Sequence, residues 1–366
     1  MDLAGLRLVL PGNVRHNSGG NAYNAALLRG LADLGVATEA CEVDGDWPVG
    51  GPADRKRFAR LLTDAGGGRV TLVDGLVACG APEELEAAAA AGVPAWILLH
   101  MPLGAHPGLE RRALQAAAGV ICTSGSAAAD LRERHGIDGT GGIRVALPGT
   151  APALPATGSE PPHLLAVAAL LPNKDQLLLL RALSGLTDLP WTASFAGSDT
   201  ADPAYAALLR RETERLGLTG RVRLPGELRG AALDVEWGAA DLSLLISRAE
   251  TYGLVVTESL ARAVPVIVRQ GTGAVEALAA GTSAAAAGAP GTPGAAGLPG
   301  TAVALAGDPA PLAAVLRRWL TEPALRAEWR AAAQAAREHL PGWDATARAV
   351  LAILGIEPPA HPADSQ

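Results

Sequence analysis

Short runs of apolar residues alternate with segments of helical spacing along most of the chain. This strand-helix-strand-helix order is typical of a parallel sheet with helices packed against it. It is clearest in the predicted strands 241–247 and 264–268 and the predicted helices 254–262 and 274–280. The same alternation runs through residues 1–150 and again through 163–340, so we predict an α/β fold with two parallel-sheet domains.

Three stretches break this alternation. Residues 151–162 are rich in Pro, Gly and Ser and have no apolar period, so we predict a linker between an N-terminal domain, 1–150, and a C-terminal domain, 163–340. Residues 279–300 contain almost only Ala, Gly, Pro and Thr, which cannot supply a core, and are predicted to form a mobile insert. Two segments end the chain, a predicted helix and a predicted disordered tail: 341–354 and 355–366.

Two glutamates near residue 250 are the first candidates for chemistry. Glu250 lies in the loop after a predicted strand, and Glu258 lies eight positions further on, in the following helix. Ligands of open α/β sheets bind at the carboxyl ends of strands, and a helix beginning near Gly253 offers unpaired amides and a positive dipole end to phosphate. A carboxylate beside such a site is suited to accept hydrogen bonds from the hydroxyls of a sugar or ribose. Spacing alone leaves open that both acids simply face solvent.

The segment around these acids, SRAETYGLVVTESLARAVPVIV, is similar to the E-x7-E segment of family 4 glycosyltransferases, which are retaining enzymes of the GT-B fold. The matching positions span a whole supersecondary unit: Ser247, Glu250, Gly253, Glu258, Ala261, Pro265, Val266, Gly273 and Glu276. The resemblance implies that Glu250 holds hydroxyls of the donor sugar and that Glu258 holds the ribose. It also implies that backbone amides at Gly253 and Leu254 meet the diphosphate.

The resemblance further implies a domain arrangement. Two Rossmann-like domains would face each other across a cleft, with the acceptor on the first and the nucleotide sugar mainly on the second. The final predicted helix would cross back to the first domain. The segment GLTGRVRLPG resembles the part of the family that flanks the nucleotide base, which would place Glu227 and Leu228 beside the base.

A glycine pair, Gly19 and Gly20, lies between the first predicted strand and a helix predicted over 22–34. Glycine lets the backbone approach a ligand closely, and a helix N-terminus favours anions. In the resembled family a glycine pair at this place lies near the donor diphosphate, with Asn21 here as a possible helix cap. A flexible turn without a binding role is the alternative.

His100 ends an apolar stretch, residues 94–101, which predicts a strand whose carboxyl end lies where ligands gather. A single histidine at such a place is more often a hydrogen-bonded structural residue. The sequence HMP, in which a proline closely follows the histidine, resembles the acceptor-side loop of the same family. There a histidine contacts the donor sugar or lines the reaction centre, so the resemblance makes His100 a candidate catalytic residue.

Lys174 lies in a loop just after the first predicted strand of the second domain, 163–169. The family usually places an Arg and a Lys here, five positions apart, and both contact the donor phosphates. Lys174 matches the lysine, but Ala169 occupies the arginine position, and Asp175 follows where a glycine is usual. Half of the cationic pair is therefore missing, and Arg248, next to the Glu250 loop, is the candidate replacement.

Composition and charge limit the kinds of binding partner and the cellular compartment that we expect for this protein. The 366-residue chain has a net charge of −7 and no long basic run, which argues against nucleic acid. A basic cluster on one predicted helix, typical of a solvated face, allows at most peripheral membrane contact: Arg55, Lys56, Arg57 and Arg60. The sequence has no signal-peptide pattern, no apolar run of transmembrane length and no C-x-x-C spacing among three cysteines, so we expect a cytoplasmic protein.

The resemblance to family 4 implies a retaining glycosyltransferase that moves a sugar from a nucleotide sugar, such as a UDP- or GDP-sugar, to a hydroxyl acceptor, either a small molecule or lipid-linked. The resembled family uses no divalent metal, and no D-x-D motif is placed for one, so neither metal nor cofactor is expected. An epimerase or phosphorylase of the same fold is one alternative. A non-catalytic nucleotide-sugar-binding protein is another, and Ala169 makes it plausible. The missing G-x-G-x-x-G fingerprint disfavours a dinucleotide-dependent dehydrogenase.

Overall fold

The chain forms two compact units, residues 1–149 with 341–366 and residues 150–340. The computed structural model describes these residues: 5–12, 18–64, 69–136, 142–282 and 297–359. Within them, each unit contains one six-stranded sheet in which all neighbouring strands are parallel. The predicted α/β fold with two parallel sheets is confirmed.

The first unit alternates strands and helices. Its strands are β1 (Gly5–Pro11), β2 (Thr38–Val43), β3 (Arg69–Asp74), β4 (Trp96–Leu99), β5 (Gly119–Cys122) and β6 (Ile143–Val145). Its helices up to residue 149 are α1 (Gly19–Asp33), α2 (Pro52–Thr63), α3 (Gly75–Ala78), α4 (Pro82–Ala90), α5 (Pro107–Ala116) and α6 (Gly125–His135). The strand order is β2-β1-β3-β4-β5-β6. Central strands such as β5 are buried throughout because helices cover both faces of a parallel sheet.

The second unit repeats this architecture. Its strands are β7 (His163–Val167), β8 (Thr192–Ala196), β9 (Val222–Gly226), β10 (Leu242–Leu245), β11 (Val266–Arg269) and β12 (Gly300–Val303). Its helices are α7 (Gln176–Ser184), α8 (Pro203–Arg215), α9 (Ala231–Ala239), α10 (Leu254–Ala261), α11 (Ala274–Leu278), α12 (Ala310–Thr321) and α13 (Pro323–Arg337), with a 3-10 turn at Pro172–Lys174. The strand order is β12-β11-β10-β7-β8-β9.

The last helix, α14 (Trp343–Leu354), completes the core of the first unit. It packs against α1, and Leu351 shares a buried cluster with Leu27. A Cβ on Gly30 of α1 would lie only 3.0 Å from the carbonyl oxygen of Trp343. A larger residue at position 30 would therefore push the two helices apart.

The chain after α14 corrects the predicted disordered tail at 355–366. Gly355 has a φ of 69° and ends the helix, and the amide of Ile356 donates to the carbonyl of Leu351 at 3.0 Å. Ile356 is 5% exposed and packs in the same core as α14. Helices often end with such a glycine followed by an apolar residue that folds back. The prediction is therefore wrong at Ile356, while residues 360–366 lie outside the described part of the chain.

The start of α1 also differs from the prediction. The helix begins at Gly19 rather than at residue 22, and Ser18 is its N-terminal cap, with its hydroxyl accepting from the amide of Asn21 at 3.1 Å. Asn21 is therefore not the cap. Serine is among the preferred caps, and the low helix propensity of two glycines hides the first turn in the sequence.

Three elements, α3, α5 and β12, lie outside the predicted alternation. Helix α5 begins with Pro107, which is tolerated at a first helical position although it resembles a helix breaker in the sequence. Strand β12 begins at Gly300, inside the predicted low-complexity insert. Residues 283–296 of that insert lie outside the described residues.

The segment predicted as a linker, residues 151–162, is held against the second unit by backbone hydrogen bonds. The amide of Ala156 donates to the carbonyl of Arg262 at 2.8 Å, and that of Thr157 donates to the carbonyl of Gly238 at 2.9 Å. Arg330 donates in turn to the carbonyl of Ala156, which is 4% exposed. An irregular segment is ordered in this way when its backbone groups find partners outside regular secondary structure.

Candidate active site

The predicted donor-site residues of the second unit lie where its sheet changes direction. Strands β7 and β10 are neighbours, although β8 and β9 follow β7 in the chain and lie on its other side. Such a switch point at the carboxyl ends of the strands is the usual place for ligand binding in open α/β sheets. The turn Pro172–Lys174 follows β7, and the loop at 246–253 follows β10. Lys174 and Glu250 therefore reach the same edge of the sheet.

Lys174 and Glu250 contact each other directly. The Lys174 Nζ donates a hydrogen bond to Glu250 Oε1, and the two side chains are 22% and 13% exposed. The loops are also joined through their backbones, since the amide of Arg248 donates to the carbonyl of Asn173 at 2.7 Å. A cation and an acid that are 76 positions apart in the sequence thus occupy one place.

The backbone of the Glu250 loop rests against Gly273. The amide of Gly273 donates to the carbonyl of Glu250 at 2.8 Å. A Cβ on Gly273 would lie 1.9 Å from the carbonyl oxygen of Thr251 and 2.9 Å from that of Glu250. Gly273 has an ordinary helical φ of −62°, so glycine is required here for close approach rather than for backbone conformation.

Replacing Gly273 by alanine is expected to displace the Glu250 loop. Overpacking of this kind costs about 1–3 kcal/mol of unfolding free energy. The melting temperature, measured by circular dichroism, should fall by several degrees, at roughly 2–4 °C per kcal/mol for a unit of this size. The matched control is Gly238→Ala on α9, where a Cβ would meet no atom within 4 Å. Equal losses in both variants would show that close approach is not what requires Gly273.

Helix α10 begins immediately after the Glu250 loop. Its N-terminal cap, Gly253, has a φ of 89°, a left-handed conformation that glycine adopts without strain. A Cβ on Gly253 would also lie 2.7 Å from the Cδ2 of Leu245. The first amides of the helix, from Leu254 onward, and the positive end of its dipole therefore lie next to Glu250.

Glu258 lies on α10 and is half-buried, and no described residue donates a hydrogen bond to its carboxylate. Burial raises the pKa of Glu258. The positive charge of Arg262 lowers this pKa, but by less than burial raises it. The Arg262 guanidinium donates instead to the carbonyl of Glu258 at 3.1 Å and to Asp234 Oδ1 at 3.0 Å. A desolvated carboxylate without a donor is unfavourable in the protein alone, and a ligand hydroxyl would supply the missing donor.

Arg248 is the second cation at this edge of the sheet. Its Nη2 donates to Asp175 Oδ1 at 2.9 Å, and Asp175 also pairs with Arg269. At the position where an arginine was expected, the carbonyl of Ala169 accepts from Gln176 Nε2 at 2.9 Å, and its side chain offers no charge. The structure thus places Arg248 beside the turn that carries Lys174.

Glu227 and Leu228, predicted to lie beside the nucleotide base, follow β9. Glu227 accepts hydrogen bonds from Nε and Nη2 of Arg229 at 3.0 and 2.8 Å. Leu228 packs against the buried cluster that contains Trp237. In the described part of the chain, no hydrogen bond joins Glu227 or Leu228 to Lys174.

In the first unit, His100 meets the start of α1. A Cβ on Gly20 would lie 3.1 Å from the Cδ2 of His100, so glycine allows the imidazole to approach the helix. The His100 Nε2 lies 2.9 Å from Asn24 Oδ1 and 3.4 Å from Asp74 Oδ2. Asn24 Nδ2 donates to Asp74 Oδ2 at 2.7 Å, and the Tyr23 ring packs edge-on with its centroid 5.2 Å from that of His100.

The acceptors around His100 fix the orientation of its ring and the partners of Nε2. Because Nε2 faces an amide oxygen and a carboxylate, this nitrogen carries a proton, and in the singly protonated tautomer Nδ1 is an acceptor. No described residue donates to Nδ1. Burial alone would raise the pKa of Asp74, but hydrogen bonds from His100, Leu76 and Asn24 and the charge of His100 outweigh it and lower that pKa. Asp74 is therefore ionised and holds the imidazole in place.

Sequence analysis identified Gly20 and His100 but missed Asn24 and Asp74. Asp74 ends β3, and an acid at the carboxyl end of an apolar strand is a signal that was available in the sequence. Asn24 lies four positions after Gly20 in a helix and therefore on the same face. The other glycine of the pair, Gly19, is the first residue of α1.

The basic cluster on α2, predicted to allow peripheral membrane contact, is partly neutralised by acids. Arg55 of the basic cluster on α2 pairs with Glu84 at 2.8 Å, and Arg57 pairs with Asp54 at 2.6 Å, so acids offset much of this face. Among the described residues, no group of three or more His, Cys, Asp or Glu side chains is arranged to hold a metal ion. None of the helices in that part of the chain is long and apolar enough to cross a membrane.

Comparison with protein families identifies the class of protein. The family described as "Glycosyl transferases group 1" matches residues 154–336, half of the chain. The chain therefore belongs to this family and is a glycosyltransferase. The matched region includes Lys174, Glu250 and Glu258. A comparison with curated proteins finds no match.

Solved structures with the same fold cover nearly the whole chain. Anabaena HepE in complex with UDP is 17% identical, with a TM-score of 0.70 over 96% of this chain and 99% of that chain. Sucrose-phosphate synthase from Thermosynechococcus elongatus is 18% identical, with a TM-score of 0.72 over 96% and 98%. A glycosyltransferase from Rickettsia africae is 15% identical, with a TM-score of 0.71 over 95% and 97%. The predicted GT-B fold is confirmed by these similarities.

Proposed function

We propose that this glycosyltransferase moves a sugar from a nucleotide-sugar donor to a hydroxyl acceptor with retention of the anomeric configuration. The contact between Lys174 and Glu250 carries the proposal, because it joins a cation suited to phosphate with an acid suited to sugar hydroxyls. Both lie next to the N-terminus of α10, a natural site for an anion. The similar fold of HepE, crystallised with UDP and with UDP-glucose, supports a nucleotide sugar as the donor.

In the proposed complex, each part of the donor meets a different group. The first amides of α10 and Lys174 bind the diphosphate, which takes the place of Glu250 as the partner of Lys174. Glu250 then accepts hydrogen bonds from the sugar hydroxyls, and Glu258 accepts from the ribose. Glu258 has no donor of its own among the described residues, so the ribose satisfies a group that the protein leaves unpaired.

Sugar transfer breaks the bond between the anomeric carbon and the phosphate oxygen and forms a bond to the acceptor oxygen on the same face. The departing phosphate takes the acceptor's proton. Lys174 and the α10 amides stabilise the negative charge that develops on the leaving diphosphate, the term that usually contributes most to catalysis. We propose that these groups suffice without a divalent cation, and activity should therefore persist in EDTA.

We propose separate roles for His100, Gly19 and Gly20 of the first unit. The unpaired Nδ1 of His100 accepts a hydrogen bond from a hydroxyl of the donor sugar or the acceptor. The glycines at the start of α1 let a diphosphate approach the amides of that helix.

A donor screen tests the proposal. UDP-, GDP- and ADP-sugars are first compared by thermal shift, and each donor that stabilises the protein is incubated with hydroxyl acceptors. The expected result is release of the nucleoside diphosphate and a product whose anomeric configuration, read by NMR, equals that of the donor. An inverted product would contradict retention. Binding without nucleotide release would instead identify a non-catalytic nucleotide-sugar-binding protein.

Glu258→Gln is expected to have opposite effects on binding and stability. Loss of the charged acceptor should weaken binding of the bare nucleoside diphosphate by at least about 1 kcal/mol, which corresponds to a roughly fivefold higher dissociation constant. Because burial raises the pKa of Glu258 in the folded chain, its ionised form destabilises the fold at pH values above that pKa. Glutamine removes this penalty, so the melting temperature should rise at pH 7 and not at pH 4, below the unfolded pKa of about 4.3.

Calorimetry with the nucleotide and thermal unfolding at the two pH values measure both effects of Glu258→Gln. Unchanged nucleotide affinity would remove Glu258 from the site. A stability gain of equal size at pH 4 and pH 7 would show that the charge of Glu258 is not its source.

A further inference from the structure

Asp175 has an unusual backbone conformation at the edge of the proposed donor site. It follows Lys174, is the N-terminal cap of α7, and has a φ of 57°. Among the described residues, Ala263 is the other non-glycine residue with a positive φ. Aspartate adopts this left-handed region more readily than most residues, yet at some energetic cost. The contacts of the Asp175 side chain, which is only 4% exposed, show what this conformation achieves.

The two carboxylate oxygens of Asp175 bind two different arginines. Oδ2 accepts from Nη2 of Arg269. The Nε and Nη1 of the same guanidinium donate to the carbonyls of Ile246 at 2.9 Å and Leu305 at 2.5 Å. Arg269 has only 9% of its side chain exposed, so it is a fixed, buried partner. Oδ1 accepts from Arg248 at 2.9 Å, and the Arg248 side chain is 64% exposed. One buried acid thus holds one buried and one exposed guanidinium.

The exposed guanidinium of Arg248 has donors to spare. Only its Nη2 is engaged by a described residue, which leaves Nε and Nη1 unpaired in that part of the chain. The hydrogen bond and the charge of Asp175 raise the pKa of Arg248, so it is charged at any physiological pH. The backbone amide of Arg248 is also bound to Asn173, in the turn that ends at Lys174. Arg248 is therefore fastened to this turn at both its backbone and its side chain.

The charges around this turn leave Arg248 in surplus. Lys174 is paired with Glu250, and Arg269 is paired with Asp175. Each of these two pairs is neutral. Together with Arg248 the five side chains therefore carry one net positive charge, which is that of Arg248. A diphosphate carries more than one negative charge and presents oxygens suited to the forked donors of an arginine.

We propose that Arg248 is the second cation on the donor diphosphate and that Asp175 is a positioning residue that holds its guanidinium there. The inference rests on the proposed function, since it assigns residues to the same site. It also explains how a phosphate site can be complete with Ala169 in place of an arginine. The aspartate in the left-handed conformation brings a carboxylate to the turn that a glycine at position 175 would lack.

The experiment compares affinities for nucleoside diphosphates and monophosphates by calorimetry. UDP with UMP, GDP with GMP and ADP with AMP are the probes, applied to the wild type, Arg248→Ala, Asp175→Asn and the double variant. Arg248→Ala should weaken diphosphate binding by roughly tenfold, as expected for a lost charge-assisted hydrogen bond, and change monophosphate binding much less. Asp175→Asn should act in the same direction. In the Arg248→Ala background it should add almost nothing, because the two residues act as one unit.

Asparagine suits the test because it tolerates the left-handed conformation and keeps one acceptor oxygen. Arg215→Ala is the control, since Arg215 has a similarly exposed side chain, 61%, and pairs with Glu212 on α8. It should leave both affinities unchanged. If Asp175→Asn does not fold, Arg248→Lys decides the point. Lysine keeps the charge but lacks the forked donors, and full recovery of diphosphate affinity would overturn the positioning role of Asp175.

The outcomes separate this inference from the proposed function. Diphosphate affinity that falls in Lys174→Ala but not in Arg248→Ala would keep the donor site and overturn the role of Arg248. An equal effect of Asp175→Asn with and without Arg248 would show that Asp175 is only structural. A wild type that binds none of the six nucleotides would overturn both the inference and the proposed function.

Discussion

Glu250→Gln should lower kcat/KM for the full donor by roughly 10²-fold, about 2.7 kcal/mol, and leave the affinity for the bare nucleoside diphosphate near that of the wild type. Glutamine keeps the shape of the side chain but removes the charge and half of the acceptor capacity that the sugar hydroxyls need. Losing the carboxylate also leaves Lys174 without its partner, so the phosphate part of the site does not weaken. Initial rates with the full donor and calorimetry with the diphosphate measure the two effects.

The matched control for Glu250→Gln is Glu214→Gln, the same change at an exposed position of α8. It should leave kcat/KM and nucleotide affinity unchanged. A fully active Glu250→Gln enzyme would take Glu250 out of the site while leaving the fold and family untouched. A parallel loss of diphosphate affinity would place Glu250 on the nucleotide rather than on the sugar.

Lys174→Ala should lower kcat by roughly 10²-fold or more, as for other losses of charge stabilisation in a transition state. The chain has only two lysines among its thirty basic residues, which makes the test unusually clean. The other lysine, Lys56, is exposed on α2, and Lys56→Ala is the control that should retain full activity. Kinetics at saturating donor separates this loss in kcat from weaker binding.

Amine labelling followed by mass spectrometry gives an independent measure of the same contact. With Lys56 as the internal reference, a bound nucleoside diphosphate should slow the modification of Lys174 and leave that of Lys56 unchanged. Equal protection of both lysines, or of neither, would contradict a phosphate contact by Lys174. If Arg248→Ala proves damaging and Lys174→Ala mild, the leading cation of the site is Arg248.

The local elements around the site could be predicted because a parallel sheet leaves a simple pattern in its sequence. Buried strands such as β10 and β11 appear as short apolar runs, and the helix between them has its own period. Lys174 and Glu250 could each be identified as loop residues after a strand. Their contact could not, since it depends on the strand order that brings β10 beside β7.

The contacts that orient the site residues could not be predicted from the sequence for the same reason. Asp74 and Arg269 were not among the predicted site residues, and only the folded sheet shows that Asp74 holds His100 and that Arg269 binds Asp175. Gly273 was identified only as a matching position of the family segment, but its role is to leave space for the backbone of Thr251. Polar networks and close approaches join distant parts of a chain, and a linear pattern does not record which parts meet.

The return of α14 to the first unit has a consequence for biosynthesis. The helix that closes the core around Leu27 and Leu351 is translated only after the whole of residues 150–340 has been made. All residues of the second unit are therefore synthesised before the α14 side chains that share a buried cluster with α1. Domains generally fold as their residues emerge, and here the core of the first unit is complete only after the second unit has been translated. Until α14 emerges, the side chains of α1 that pack against it lack that partner.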